Sequence, residues 1–358
     1  MTRHSAIAAA LMLFLSGCGD GSSPDGPDPP DLVQPRTYAM GWAPAAPRPE
    51  IELILRGIDS MAVVSDMAIV QNAVPWEPLL AGAAMDSLVQ DRAQLTDLLA
   101  SKGLELIFLV DPLDGLDRTR EADNLLALGR SILEPEIRQL HDEWVRQITA
   151  RVRPTYMGLA SEINTLAALG DPVLYAEILA MINSLAPQIR QISPGTQVFV
   201  SFQADQANGR LGPTGGIDHF ALIDQFDIDA LGLSSYPGFV FDDPSEVPDD
   251  YFSVFDDATD LPLLMVEGGW SSADVPWSAG TPQQQVDFFT RFETLLDGVD
   301  AVAWVMLTFT DLDIGSLGLT PERALTLSNF AHMGILDSEL RRKPSYAEWE
   351  RIFERPLR

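Results

Sequence analysis

The sequence predicts an α/β fold, a (β/α)8 barrel of the TIM type, and three observations lead there. Eight apolar strand candidates follow one another along residues 36–358, mostly separated by stretches of helical period. These candidates are nearly continuous in apolar character, as strands covered on both faces must be. The competing fold, an open doubly wound sheet, normally carries a glycine-rich phosphate loop after its first strand. Met40-Gly41-Trp42-Ala43-Pro44 has no such pattern.

The N-terminus reads as an address. Arg3 precedes an apolar run, Ala6 to Leu15, which is too short to span a bilayer and has the length of a signal h-region. It ends in Leu15-Ser16-Gly17-Cys18, which resembles the lipobox of bacterial lipoproteins. The resemblance implies a signal segment over residues 1–18, cleavage before Cys18 and acyl chains on that residue. With Gly19 next, it also implies an exported lipoprotein of the cell envelope, at the outer membrane or cell surface. Cys18 is the sole cysteine, which excludes an internal disulfide. Residues 19–35, GDGSSPDGPDPPDLVQP, lack apolar periodicity and cannot bury enough surface to offset ordering, so a disordered tether is expected there. Residues 36–358 show no composition shift and fit one barrel domain.

The strand candidates are Tyr38–Trp42, Val63–Val70, Leu104–Val110, Tyr156–Glu162, Gln197–Gln203, Asp229–Tyr236, Pro262–Glu267 and Ala301–Leu307. Between them, Ala93 to Lys102 and Gln139 to Val152 have helical period. Asp171-Pro172 reads as an N-cap followed by proline at the first helical position, ahead of Leu174, Ile178, Met181 and Leu185. Thr281-Pro282-Gln283-Gln284 reads as a capping box, with Phe288, Phe292 and Leu295 on one face and Gly298 as a stop.

Charge narrows the function classes. With 52 acidic and 23 basic residues, the chain carries a formal charge of −29. Nucleic acid and other polyanions need a basic face, so they are excluded as partners, and neutral material is favoured. No Cys/His cluster suggests a metal centre, and no cofactor is expected. The acidic loop from Asp242 to Asp250 lacks the spacing of a calcium loop and reads as solvated. No G-x-S-x-G turn supports a serine hydrolase.

Two glutamates close apolar strand candidates, Glu162 the fourth and Glu267 the seventh. A carboxylate ending a buried run is costly unless paired, solvated or functional. In a barrel both would lie at the carboxyl ends of strands, where active sites form. Two carboxyl groups facing one pocket suit cleavage of a glycosidic bond, one protonating the leaving oxygen and the other attacking carbon. Strict alternation would put Gly158 and Ala160 on the face of Glu162, leaving the barrel centre open beneath it. Trp42, Trp76, Trp270 and Trp277 lie in or beside strand-end loops, as platforms for sugars or as packing. Trp304 on the eighth strand is a candidate floor under the reacting ring. Asn72, Asp111, Gln203 and Asp311 end strands or begin loops, as hydroxyl binders or helix caps. His141, His219 and His332 read as packing or surface residues, the first and last within helices.

Gly158-Leu159-Ala160-Ser161-Glu162-Ile163-Asn164, Leu231-Gly232-Leu233-Ser234-Ser235-Tyr236-Pro237 and Leu264-Met265-Val266-Glu267-Gly268-Gly269-Trp270 carry a resemblance. In order and spacing the domain resembles the retaining glycoside hydrolases of clan A. Its local motifs look most like the endo-β-1,4-galactanases and their uncharacterised relatives. The resemblance implies Glu162 as acid/base, Glu267 as nucleophile and Tyr236 as a donor to that nucleophile. It implies that Ser161 stands where the clan usually has a sugar-binding asparagine, and that the clan's usual histidine is missing. The implied function is a membrane-tethered retaining hydrolase of a neutral β-linked glycan, with an oligo- or polysaccharide substrate, a lipid bilayer reached through Cys18, and a monomeric state. A barrel lipoprotein that has lost catalysis and binds glycans or assists surface polysaccharide assembly is the alternative, as is a hydrolase of another kind. The anchor has its own test: Cys18→Ser is expected to move the protein from the membrane to the soluble fraction with its melting temperature unchanged. Retention in the membrane fraction would refute lipidation at Cys18.

Overall fold

Eight parallel strands close a barrel in the computed structural model, which describes residues 33–358. The signal segment with Cys18, and the tether as far as residue 32, lie outside the described residues. The barrel strands are β1 (Ala39–Trp42), β2 (Met67–Asn72), β3 (Glu105–Val110), β4 (Tyr156–Gly158), β5 (Gln197–Gln203), β6 (Ala230–Ser235), β7 (Leu263–Gly268) and β8 (Ala301–Met306). Each pairs in parallel with the next, and β8 pairs with β1. The predicted fold class therefore stands. No helix among the described residues is long and apolar enough to cross a membrane.

Two strands differ from expectation by more than one residue at an end, for physical reasons. β2 begins four residues late because Val63, exposed, caps the Ile51–Ala62 helix instead of entering the sheet. β4 is three residues long. Beyond Gly158 the chain keeps backbone bonds to β5, Leu159 N to Phe199 O at 3.1 Å and Ser201 N to Ala160 O at 3.0 Å. Side chains replace the rest of the ladder: the Ser161 amide donates to Asp111 at 3.4 Å and the Glu162 amide to Ser201 Oγ at 2.9 Å.

Alternation along the strands builds two apolar layers. Residues such as Ile69, Ile107, Leu109, Phe199, Leu264 and Val305 fill the barrel interior. Their neighbours, including Trp42, Phe108, Val200, Met265 and Trp304, face outward under the helices. The interior beneath Glu162 is filled, not open, which corrects the expectation from small residues. A Cβ on Gly158 would lie 2.5 Å from Leu109 Cδ1 and 2.6 Å from Phe199 Cζ. Glycine is there because Phe199 needs the space, and Ala160 packs in the outer layer.

The helix signals hold in part. Asp171 accepts from the Val173 amide at 2.7 Å and opens a helix over Pro172–Ile192. Thr281 caps Pro282–Leu296 by accepting from the Gln284 amide at 3.2 Å. The Gln284 side chain returns to Thr281 through the hydroxyl, its Oε1 accepting from Thr281 Oγ1 at 3.0 Å, while its Nε2 donates to Asp242 O at 2.8 Å. The patterns at Ala93–Lys102 and Gln139–Val152 belong to longer helices, Met85–Ser101 and Pro135–Val152.

The two ends of the barrel domain are joined. Arg36 N donates to Pro356 O at 3.0 Å and Arg358 N to Arg36 O at 3.1 Å. The buried Arg36 guanidinium pairs with Asp66 at 2.6 Å, while Arg355 reaches Glu293 at 2.7 Å and Asp297 at 2.9 Å. The interior packing yields a stability prediction. Gly158→Ala is expected to lose about 1–3 kcal/mol through overpacking against Phe199, measured by denaturant unfolding. Parental stability would show that the interior has slack at this level.

Candidate active site

Each glutamate reaches the barrel mouth through a backbone irregularity. Along β7 the inward residues are Leu264 and Val266, so unbroken alternation would turn Glu267 toward the helices with Leu263 and Met265. The β6–β7 register slips here: Leu233 pairs with Met265, but Ser234 pairs with Glu267. The extra residue makes a bulge that re-aims Glu267. Glu162 has a left-handed backbone, φ 49° and ψ 41°, just before the Ile163–Leu169 helix. Such a conformation costs roughly 1–3 kcal/mol and persists only where its surroundings over-determine it. Here Ser201 holds the Glu162 amide, and Asn164 ties the helix to β5 by accepting from Gln203 N at 2.8 Å.

Between the carboxylates lies Arg118, which sequence reasoning missed. A two-stranded hairpin after β3, Leu113–Asp114 with Asp117–Glu121, carries it inward. Its guanidinium is buried, hydrogen-bonds Asp111, and lies 3.5 Å from Glu162 Oε2 and 3.9 Å from Glu267 Oε2. Burial opposes that charge, but Asp111, Glu162 and Glu267 together raise the arginine pKa above its ordinary value. The Asp114-Gly115-Leu116-Asp117 stretch was the available signal, a turn type that favours a hairpin.

The two glutamates sit in different settings. Burial pushes Glu162 up to about 7, with Arg118 pulling it down and Glu267 pushing it further up. Glu267 accepts two hydrogen bonds, from Tyr236 Oη at 2.5 Å and from Gln71 Nε2 at 3.0 Å. Burial and the neighbouring Glu267 raise Tyr236 well above its ordinary pKa, so its hydroxyl stays a donor. Behind Tyr236, the buried Asp205 accepts from the Tyr236 amide at 3.0 Å and from Tyr251 Oη at 2.5 Å. One carboxyl group is thus poised to hold and release a proton near neutrality, beside another whose oxygens are fixed by donors.

A cleft of about 160 Å³ contains Arg118, Glu162, Tyr236, Glu267 and Gln203, walled by Leu116, Leu211, Phe239, Trp277 and Phe330. A depression of about 550 Å³ between the outer helices is larger, but it brings no pair of acids together with a buried cation. Among the predicted binding residues, Gln203 lines the cleft while capping a short helix, accepting from Gln206 N at 2.7 Å. Ser161 is buried beside the cleft with its hydroxyl 3.3 Å from Ser201 Oγ, not among the lining residues. Asn72 ends β2, half-buried and outside the lining. Asp111 belongs to the site, whereas Asp311 pairs elsewhere with Lys343 at 2.8 Å.

The tryptophans require corrections. Trp304 is no sugar floor: it points outward from β8, fully buried, with its ring 5.1 Å from that of Trp349. Trp42 likewise faces outward and packs on Trp349 at 4.6 Å. Trp76 is buried near His141, and Trp270 packs against Phe288 beneath the loops. The exposed Trp277 alone of the named tryptophans reaches the cleft, in an aromatic group with Phe239, Phe330 and Tyr236. His332 lies in a turn, not a helix; His219 is buried between Asn164 and Thr214. Among the described residues no group of three or more His, Cys, Asp or Glu could hold a metal.

No family model and no curated protein sequence matches the chain. Solved structures do. A GH5_18 protein from Streptomyces cattleya, in complex with Manβ1-4GlcNAc, has a TM-score of 0.69 at 15% identity, over 89% of this chain and 81% of that one. The exo-β-1,4-mannosidase Op5Man5 from Opitutaceae bacterium strain TAV5 has a TM-score of 0.64 at 16% identity, over 89% of this chain and 59% of that one. A fungal β-1,4-galactanase has a TM-score of 0.60 at 13% identity, over 88% of this chain and 99% of that one. The chain thus has the barrel fold on which these proteins are built.

The electrostatics give a titration prediction. In the parent, the Glu162 carboxyl followed by carbon NMR should titrate near the value of about 7. Arg118→Gln removes the cation that favours its charged form, so the midpoint should move upward. A downward shift, or an ordinary glutamate midpoint in the parent, would contradict this account of the site.

Proposed function

We propose that this protein is a retaining O-glycosyl hydrolase acting on a neutral β-linked glycan. The observation that carries the proposal is the pairing of Glu162 and Glu267 in one cleft at the carboxyl ends of β4 and β7, in settings suited to opposite tasks. A Glu267 oxygen attacks the anomeric carbon as the bond to the leaving oxygen breaks. That oxygen takes the bonding electron pair and the Glu162 proton. Glu162, now a carboxylate, removes a proton from water, whose oxygen displaces Glu267 with retained configuration. Arg118 steadies the site when Glu162 becomes charged, and Tyr236 and Gln71 keep the attacking carboxylate oriented.

The substrate class rests on two supports. The structural neighbours include a protein bound to Manβ1-4GlcNAc, a β-1,4-mannosidase and a β-1,4-galactanase. The formal charge of −29 disfavours polyanionic chains. Leu15-Ser16-Gly17-Cys18 supports attachment of the enzyme to the cell envelope through acyl chains on Cys18.

The two glutamates are separable by substitution. Glu267→Ala should abolish turnover of every substrate, by on the order of 10⁴-fold or more if the covalent route is lost. Glu162→Ala should spare the first step on activated aryl glycosides, whose leaving groups need no proton. Azide should then rescue Glu162→Ala with a retained product and Glu267→Ala with an inverted one. Glycan binding without turnover in the parent would make the barrel a binding protein. Near-parental rates in both variants would place the catalytic pair elsewhere.

A further inference from the structure

Tyr236 can steady Glu267 only if its hydroxyl is held at the right reach, and the strand alone does not do this. β6 ends at Ser235, so Tyr236 is the first residue beyond the strand, with φ −128° and ψ 63°. Its ring stacks on Phe239 at 5.6 Å and meets Phe330 edge-on at 5.1 Å. Such ring contacts are satisfied over centroid separations of about 4.5–7 Å, far looser than a hydrogen bond. The 2.5 Å bond from Tyr236 Oη to Glu267 therefore depends on where the backbone starts the side chain.

Asp205, just beyond β5 and wholly buried, supplies that hold. Its Oδ2 accepts from the Tyr236 amide at 3.0 Å and from Gln203 Nε2 at 3.3 Å, and its Oδ1 from Tyr251 Oη at 2.5 Å. Tyr251 also shares its hydroxyl with Ser235 Oγ at 2.8 Å, so both residues at the end of β6 are tied to this carboxylate. Gln203 lines the cleft, and its Oε1 is taken by the Gln206 amide at 2.7 Å. Its side chain is thus fixed at both ends. A buried carboxylate is costly, and an apolar residue would fill the space without that cost. Burial does raise the Asp205 pKa, against its three donors and the nearby Arg210. What an apolar residue would not supply is one oxygen that fixes the nucleophile's donor and a cleft-lining amide together. Resting on the hydrolase reading above, we infer that Asp205 is a positioning residue, which keeps Tyr236 aimed at Glu267 and Gln203 aimed into the cleft without lining the cleft itself.

The test follows kcat/KM on aryl β-mannoside, β-galactoside and β-glucoside, with a melting curve for every variant. Asp205→Ala strips the acceptor from the Tyr236 amide and from Gln203, and a displacement of about 1 Å should lower kcat/KM roughly 10²-fold. The same change in a Tyr236→Phe, Gln203→Ala background should cost less than about threefold, because the groups it positions are gone. Asp205→Asn should keep most of the parental rate. Its oxygen can face Tyr236 and Gln203 while its amide donates to Tyr251, whose hydroxyl then turns to Ser235. Equal losses from Asp205→Ala in both backgrounds would show a merely structural role and overturn the inference. Parental kcat/KM in folded Asp205→Ala, or Asp205→Asn as impaired as Asp205→Ala, would overturn it too. Should Asp205→Ala not fold, Asp205→Ser enters the same comparison, since its shorter side chain cannot bridge the same donors. All these outcomes leave the hydrolase reading standing, whereas no turnover by the parent would overturn both.

Discussion

The site depends on one buried cation. Arg118 touches Asp111, Glu162 and Glu267, three carboxyl groups that could not share so dry a space without it. A buried charge is tolerable only when paired and hydrogen-bonded, and removing one partner leaves the others uncompensated. Much of the mouth is arranged to satisfy that condition. The hairpin exists to carry the arginine inward, Asp111 bonds it from the end of β3, and Asp114 holds the hairpin turn. The guanidinium also tunes the chemistry: it limits how far burial raises Glu162, leaving that group near neutrality instead of permanently protonated.

The fold was legible because its signals are repetitive. Each strand is a buried apolar run and each helix has a period, so an error of a few residues at β2 or β4 does not disturb the count. Glu162 and Glu267 were legible for a different reason, since carboxylates ending such runs conflict with local burial. Their aim was not legible. Alternation sends Glu267 the wrong way, and the bulge that corrects it is a register slip between two strands, which no single strand records. Glu162 is turned by a left-handed backbone at a residue type that does not favour it.

The misread residues share a cause. Trp42 and Trp304 sit near strand ends, where a sugar platform would be useful, but both occupy outward positions of their strands and pack with Trp349 under the helices. For Trp304, the alternation Ala303, Trp304, Val305 already implied this, because small and branched residues flank it on the interior side. Arg118 was hidden the other way. Its neighbours, Asp114 to Glu121, look like a solvated charged loop, and only contacts distant in sequence, such as Asp114 with Arg323, reveal that Asp114, Arg118 and Glu121 are buried.

The closure of the domain's ends bears on how the protein resists opening. Terminal segments usually fray first, because few contacts must break to free them. Here the amide of Arg36 is held by Pro356 and the amide of Arg358 by Arg36, with charged side chains from both ends locked into neighbouring acids. Neither end can peel away alone, since lifting one strips partners from the other. Opening the barrel at this seam therefore means breaking backbone bonds and ion pairs of both segments in one event.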